Sequence, residues 1–454
     1  MRKKIIGLLF SSALISPSAY ALGIIEIYSL AQQKDPTLRA AWQEKIAGEE
    51  NSNIGRAGLL PTVSLSWQNG AKNWQTSETE QSKSVFSRET HRVKTKRQYQ
   101  SQSGSVMLKQ PLFDYQAWSG YQKGVAQSQM AEASWRASFM DLAVRVVSSY
   151  LDVMAAQDKV SLVAEQQAAW RQQLRQNQLM LRTGEGTITE VVETESRLLL
   201  AEAEQMAALD ELAAAQRELE SLIGQRIDSF SRLDKLTSAP FKPIPLVPAT
   251  FEQWQQLALQ GNPELAVSRQ QLKVGYYQTE QQRADFFPQI ALYATHSLNH
   301  SSSESTIDQH HATSTIGLQV SYALFSGGKS SAAVKQANAL YNKNKFELEK
   351  NTYTALNNLH RFFNQCHNAE RRLTAYQQAV KSAALQVKAV EQSVIAGVRT
   401  NLDRLNAERQ LFNARLDLAN EKYSYLRAWL KLLYHSGQLT PDKVTEIARY
   451  FITP

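Results

Sequence analysis

The stretch Asn262-Pro263-Glu264-Leu265 decides how this chain is built, because Asp35-Pro36-Thr37-Leu38 stands 227 positions before it. A second landmark keeps that spacing: Leu59-Leu60-Pro61-Thr62-Val63-Ser64-Leu65 is echoed by Phe286-Phe287-Pro288-Gln289-Ile290-Ala291-Leu292. Further on, Pro111-Leu112-Phe113-Asp114 is matched by Ala323-Leu324-Phe325-Ser326 at an offset of 212, and Thr183-Gly184 by Ala396-Gly397 at 213. Prolines and glycines that recur in one order between matching element types identify an internal duplication. The shorter offset places a longer hairpin loop in the first half.

Each half reads as helix, strand, strand, long helix, shorter helix. In the first, residues from about Ile24 to Ala57 are helical, and Pro61 opens a strand with Val63, Leu65 and Trp67 on one face and Ser64, Ser66 and Gln68 on the other. A return strand is expected around Tyr99 to Lys109. In the second half, residues from Pro288 to about Ser297 alternate in the same way, and Ile316, Leu318 and Val320 mark the return. The helices that follow run from about Tyr115 to Arg182 and from about Lys329 to Ile395 with almost no breakers; each would span roughly 100 Å at the α-helical rise. Phe139, Leu142, Ala143, Val146, Val147, Tyr150, Leu151 and Met154 fall at spacings of three and four, as do Ala355, Leu356, Leu359, Phe362, Phe363 and Cys366, the pattern of helix-packing seams. Turns at Thr183 to Thr187 and Ala396 to Thr400 send each chain back antiparallel. Leu198, Leu199, Leu200 and Leu222 then repack on the first hairpin, and Leu405, Leu411, Leu416, Leu418 and Leu426 on the second.

Composition narrows the class. Arg2, Lys3 and Lys4, an apolar run from Ile5 to Ile15 and Ala19-Tyr20-Ala21 have the three regions of a secretory signal, and no cysteine near the junction offers a site for lipid. The organisation is therefore a signal peptide at 1–21, a first repeat at 22–237, a proline-rich linker at 238–250, a second repeat at 251–436 and a C-terminal tail at 437–454. Beyond the signal no apolar run reaches the length of a membrane-spanning helix. The single cysteine, Cys366, excludes an intrachain disulfide and reads as a small buried apolar side chain. The formal charge of +8 is concentrated locally, and an exported chain has no nucleic-acid partner in prospect. No nucleophile elbow, phosphate-cradling glycine loop or metal-spaced histidine pair appears, so the chain reads as a conduit with no enzyme activity, cofactor or metal.

Four strands of alternating polarity cannot close a barrel, and an open sheet edge is not tolerated in lipid, so oligomerisation is required. Two chains would supply eight strands and three would supply twelve; the strands alone do not choose. In the order Leu60-Pro61, Asn262-Pro263-Glu264-Leu265, Phe287-Pro288, Leu324-Phe325-Ser326-Gly327-Gly328 and Gly397-Val398-Arg399-Thr400-Asn401-Leu402-Asp403-Arg404-Leu405-Asn406-Ala407, the chain resembles the TolC-like outer-membrane efflux and secretion proteins over essentially its whole mature length. That resemblance implies an α+β membrane channel: a homotrimer whose twelve-stranded β-barrel, four strands from each chain, sits among outer-membrane lipids and continues into a twelve-helix periplasmic tunnel. It implies closure at the periplasmic tip, where the turns carry Gly184, Gly186, Gly397 and Thr400. Arg399 on the second hairpin is expected to face Thr189 or Glu190 on the first as a latch, and Asp403 and Asn406 to narrow the tunnel, Asn406 standing where a second aspartate is often found. Val394 replaces a tyrosine of the family's best-known member.

Arg88, His91, Arg92, Lys94, Lys96 and Arg97 are assigned to the longer first hairpin loop, facing outside, where lipopolysaccharide phosphates would attract them. His296, His300, His310 and His311 gather in the other outer loop, without ordered metal-ligand spacing. A periplasmic coiled-coil scaffold would account for the helices but not for two amphipathic β-hairpins at matching places. Among channels, the missing lipid-acceptor cysteine favours the outer-membrane component of type I protein secretion, working with a periplasmic adaptor and an inner-membrane ABC transporter, over the small-molecule efflux alternative.

Overall fold

The structure, a computed structural model, describes residues 23–82, 90–227, 230, 233–237, 240–303 and 306–452. The signal segment 1–21 and Arg88 lie outside them. The ordered elements are α1 (Ile24–Lys34), α2 (Pro36–Ala57), β1 (Thr62–Ser82), β2 (Thr90–Phe113), α3 (Tyr115–Thr183), α4 (Ile188–Ile223) and β3 (Lys235–Leu236). They continue as α5 (Phe251–Gly261), α6 (Pro263–Arg283), β4 (Gln289–Ser303), β5 (Thr306–Ser321), α7 (Lys329–His367), α8 (Ala369–Ile395), α9 (Asn401–Ser436), α10 (Pro441–Ala448) and β6 (Phe451–Ile452). They form two compact units, one of residues 41–137 and 263–354, the other of 23–40, 138–262 and 355–452.

The first unit carries an antiparallel four-stranded sheet in the order β1-β2-β4-β5, so the two hairpins of the duplication pair through β2 and β4. Directly opposite residues share a face, and the register assembles apolar rows across all four strands: Val63–Leu108–Ala294–Ile316 and Trp67–Gly104–Leu298–Ala312. Val63, Leu65, Trp67, Ile316, Leu318 and Val320 are all exposed on this face. The opposite face is polar, with Ser66–Ser105–Ser297–Thr313 as one row and the Ser66 and Ser105 hydroxyls 2.7 Å apart. A bulge between Gly70 and Asn73 inserts one residue into β1 and returns Trp74 to the apolar face.

Several expectations are corrected here. The expected longer loop of the first half falls on 83–89, outside the described residues, and most of the extra residues lengthen strands: β1 and β2 have 21 and 24 residues against 15 and 16 in β4 and β5. Arg92 and Lys94 therefore sit within β2, paired across the ladder with Glu80 at 3.2 Å and Glu78 at 3.0 Å; this charge alternation carries the strand past the bulge. The first helix breaks at Asp35 because the residue before a proline is forced out of the helical region; its ψ is 119°. The helix from Lys329 breaks at Asn368. There the Arg372 side chain folds back onto the Gln365 carbonyl at 3.1 Å and reaches Glu421 on α9 at 2.8 Å, interrupting the helix ladder. α3, by contrast, is one helix of 69 residues, about 100 Å long. Leu199 and Leu200 are exposed, since three successive leucines turn through some 100° each and only Leu198 meets the seam.

The second unit holds the main core. The expected stripes from Leu142 to Met154 on α3 and from Leu359 to Cys366 on α7 meet α1, the end of α4, α5 and the last three turns of α9. Burial pushes the Cys366 thiol up to about 12, an inert apolar side chain. The proline-rich segment and the C-terminal tail are built into this core: Phe241 stacks on Tyr450 at 4.7 Å, the Ile244 amide donates to the Tyr425 hydroxyl at 2.6 Å, and β3 pairs with β6.

The repeated Asx-Pro corners show how one scaffold carries two chemistries. Asp35 caps α2 by accepting from the Leu38 amide at 2.8 Å and also receives the Arg145 guanidinium at 2.9 Å. Its equivalent Asn262 donates to the His435 carbonyl at 2.9 Å, and burial, with Lys431 and Arg361 nearby, holds the His435 imidazole down at about 4, hence neutral. Burial alone would raise the Asp35 carboxyl; Arg145 and the Leu38 amide outweigh it and hold it below the ordinary carboxylate range. Its stabilisation is therefore complete above the unfolded carboxylate range and is lost as pH falls through the depressed folded value. Arg145→Met, which strands a carboxylate only 2% exposed, is expected to cost roughly 3 kcal/mol. Asp35→Asn, which copies the other repeat, is expected to cost less; thermal unfolding followed by helical circular dichroism checks the order.

Candidate functional site

Two helical turns lie at the ends of the long hairpins, and the duplication makes them equivalent at an offset of 213. In the first, Gly184 takes φ 79° and the Glu185 and Gly186 amides close on the Met180 carbonyl at 2.9 and 3.0 Å. Thr187 then caps α4: its hydroxyl accepts from the Glu190 amide at 3.3 Å, while the Glu190 carboxylate accepts from the Thr187 amide at 3.0 Å. In the second, Gly397 takes φ 71° and the Val398 and Arg399 amides close on the Ser393 carbonyl at 2.9 and 3.2 Å. Thr400 caps α9 through the same reciprocal box with Asp403, the two bonds being 3.3 and 3.0 Å.

The box changes how the expected site residues must be read. Glu190 and Asp403 are counterparts in the repeat, and each spends one carboxylate oxygen on its own turn. The Thr400 amide and hydroxyl, with Arg399 adding its charge, hold the Asp403 carboxyl below the ordinary carboxylate range, so it stays anionic. Thr189, Arg399 and Asn406 are exposed. Among the described residues no carboxylate comes within ion-pair distance of Arg399 inside its own chain, so the chain by itself does not bring Arg399 onto Glu190.

A different set of side chains joins the two hairpins. The Asn401 amide donates to the Asn177 carbonyl oxygen at 2.9 Å, and Gln173 donates to that oxygen at 2.8 Å and to Asn401 at 3.3 Å. Asn177 in turn donates to the Thr194 hydroxyl at 2.8 Å and to the Glu190 carbonyl at 3.2 Å. Gln173, Asn177 and Thr194 are buried, so α3, α4 and α9 are stitched by amides away from water. Beside them Trp170, Leu198, Ala201 and Leu405 form a small apolar cluster of their own. Arg404 adds ion pairs to Glu408 at 3.1 Å and Glu391 at 3.8 Å within the second hairpin. Sequence reasoning passed over Gln173 and Asn177. The available signal was their position: they follow Trp170 by three and seven residues, on the seam where an apolar side chain belongs.

The comparisons with known proteins agree with this architecture. The family model described as outer membrane efflux protein matches residues 27–225 and 254–438. The alkaline protease secretion protein AprF of Pseudomonas aeruginosa is 38% identical over 440 residues, 97% of this chain and 89% of that protein. The proteases secretion protein PrtF of Dickeya chrysanthemi is 36% identical over 454 residues, 99% of this chain and 96% of that one. Among solved structures, the outer membrane protein VceC of Vibrio cholerae superposes with a TM-score of 0.73, covering 91% of this chain and 96% of that chain at 17% identity, a likeness of fold. A duplicated chain with a four-stranded sheet, two long helical hairpins and these relatives belongs to the outer membrane efflux protein family, whose members are outer-membrane transport conduits rather than enzymes.

Proposed function

We propose that three copies of this chain close their sheets into a twelve-stranded barrel in the outer membrane and their hairpins into a twelve-helix tunnel. An inner-membrane ABC transporter and a periplasmic adaptor would then deliver a protein substrate through it to the exterior. The observation that carries this reading is the sheet: apolar rows cover one face, polar rows the other, and β1 and β5 are unpaired edges. Lipid accepts such a sheet only when the edges close, here β5 of one copy on β1 of the next, with the apolar face outward and the polar face lining the lumen. Protein export, rather than small-molecule efflux, is supported by the names of AprF and PrtF. The chain is expected to restore protease export to a cell lacking an AprF-type channel, with the protease appearing in the medium; protease retained in cells that carry the chain in their outer membrane would overturn the secretion reading.

The gate is proposed to have two levels. Within each chain the buried amides of Gln173 and Asn177, with the half-buried amide of Asn401, hold the hairpins together. Between chains, Arg399, with no carboxylate of its own chain within ion-pair distance among the described residues, reaches Thr189 or Glu190 of the neighbouring copy, a charge-assisted contact that an adaptor could exchange for its own. Arg399→Ser and Asn177→Leu should each raise single-channel conductance in planar bilayers several-fold over a small wild-type value. The second works by leaving buried amides without partners at about 1–3 kcal/mol each.

Three copies of Asp403, with no second acidic ring at Asn406, would form the cation-attracting constriction. Divalent cations should block wild-type channels and block Asp403→Asn channels markedly less, the asparagine keeping an acceptor for the cap. Equal block in both channels would remove Asp403 from the constriction.

A further inference from the structure

The register of the second hairpin brings together two histidines that their spacing in sequence keeps apart. His300 on β4 stands directly opposite His310 on β5, their ring centroids 4.2 Å apart and their Nδ1 atoms 3.1 Å apart. The other two histidines of the segment are placed differently. His311 is paired with Asn299 and so faces the other side of the sheet. His296 lies four residues from His300 along β4, roughly 13 Å away, with its Nδ1 on the Ser314 hydroxyl at 2.8 Å.

The position of the pair is also defined. Asn69, Gln102, His300 and His310 form the row just beyond Trp67–Gly104–Leu298–Ala312 toward the hairpin end of the sheet, on the face that carries the apolar side chains. His310 is exposed and His300 half-buried on that face, so the pair lies open at the surface of the sheet. No cluster of three or more metal-ligating side chains forms among the described residues, which supply His300 and His310 as ligands here.

We propose that His300 and His310 are a binding site for a divalent first-row transition-metal ion, with Zn²⁺, Ni²⁺ and Cu²⁺ as the class. Two nitrogens 3.1 Å apart, each at the metal–imidazole distance of about 2.05 Å, subtend an angle of about 100° at the metal, close to a tetrahedral or cis-octahedral value. Neutral imidazole is a ligand these ions share, and water completes the shell. In the metal-free pair one ring donates its Nδ1 proton to the other. Binding moves that proton to Nε2 of the same ring, so both Nδ1 lone pairs face the ion and no net proton is released. The ion then ties β4 to β5 where the two strands approach their turn.

Isothermal titration of zinc chloride into the detergent-solubilised full-length protein at pH 7.5 tests this. One zinc per chain is expected, with affinity at least 10-fold weaker in His300→Ala and in His310→Ala, and unchanged in His296→Ala and His311→Ala. Circular dichroism and the native oligomeric size of each variant must match wild type, which they should, because both side chains lie on the sheet surface. Absence of zinc binding to the wild type, or binding that survives the paired His300→Ala and His310→Ala substitution, overturns the site. Loss on His311→Ala alone would do the same, since that side chain faces away.

Discussion

A sheet of four strands with one apolar face and two open edges is the constraint from which the rest of this protein follows. In lipid every backbone N–H and C=O must be paired, so neither β1 nor β5 can end the structure. In water the exposed Val63, Leu65, Trp67 and Ile316 would invite edge-to-edge aggregation. The same sheet that is unstable alone is a barrel segment when copies close it. The duplication supplies it economically: each half contributes one hairpin, and β2 pairs with β4 across the join between halves.

The two halves share a scaffold and diverge at its polar positions. Both Asx-Pro corners break a helix for the same steric reason, yet Asp35 recruits a guanidinium and Asn262 a carbonyl beside a neutral histidine. Both hairpin turns are closed by glycine in the left-handed region and by a threonine capping box, and the acid that completes the box is Glu190 in one and Asp403 in the other. A residue can therefore be structural first and functional second. The cap places Asp403 and keeps it anionic, and that fixed negative charge is what a ring of copies would present to a permeating ion.

The amides at Gln173, Asn177 and Asn401 occupy seam positions that apolar residues would fill at less risk, because an unsatisfied amide in the interior costs more than a satisfied one contributes. Such a network holds only while all its members meet.

Sequence by itself determined the duplication, the alternation of helix and strand, the apolar stripes from Leu142 to Met154 and from Leu359 to Cys366, the buried cysteine and the paired glycine turns. These are local or periodic properties, fixed by φ preferences and by the period of burial. Only the tertiary structure decided what depends on register and on contacts across long sequence separations. Glu78 and Glu80 meet Lys94 and Arg92 because a bulge at Gly70 sets the ladder, so a stretch that reads as a basic loop is strand. Asn177 meets Asn401, and His300 meets His310, through helix and strand alignments that no spacing along the chain encodes. Arg399 was expected opposite Thr189 or Glu190, and only the tertiary structure showed Glu190 spending one carboxylate oxygen on its own cap. Local physics writes the elements into the chain, whereas pairing between distant elements follows from packing the whole, and polar contacts are the last to be specified because they add little energy of their own.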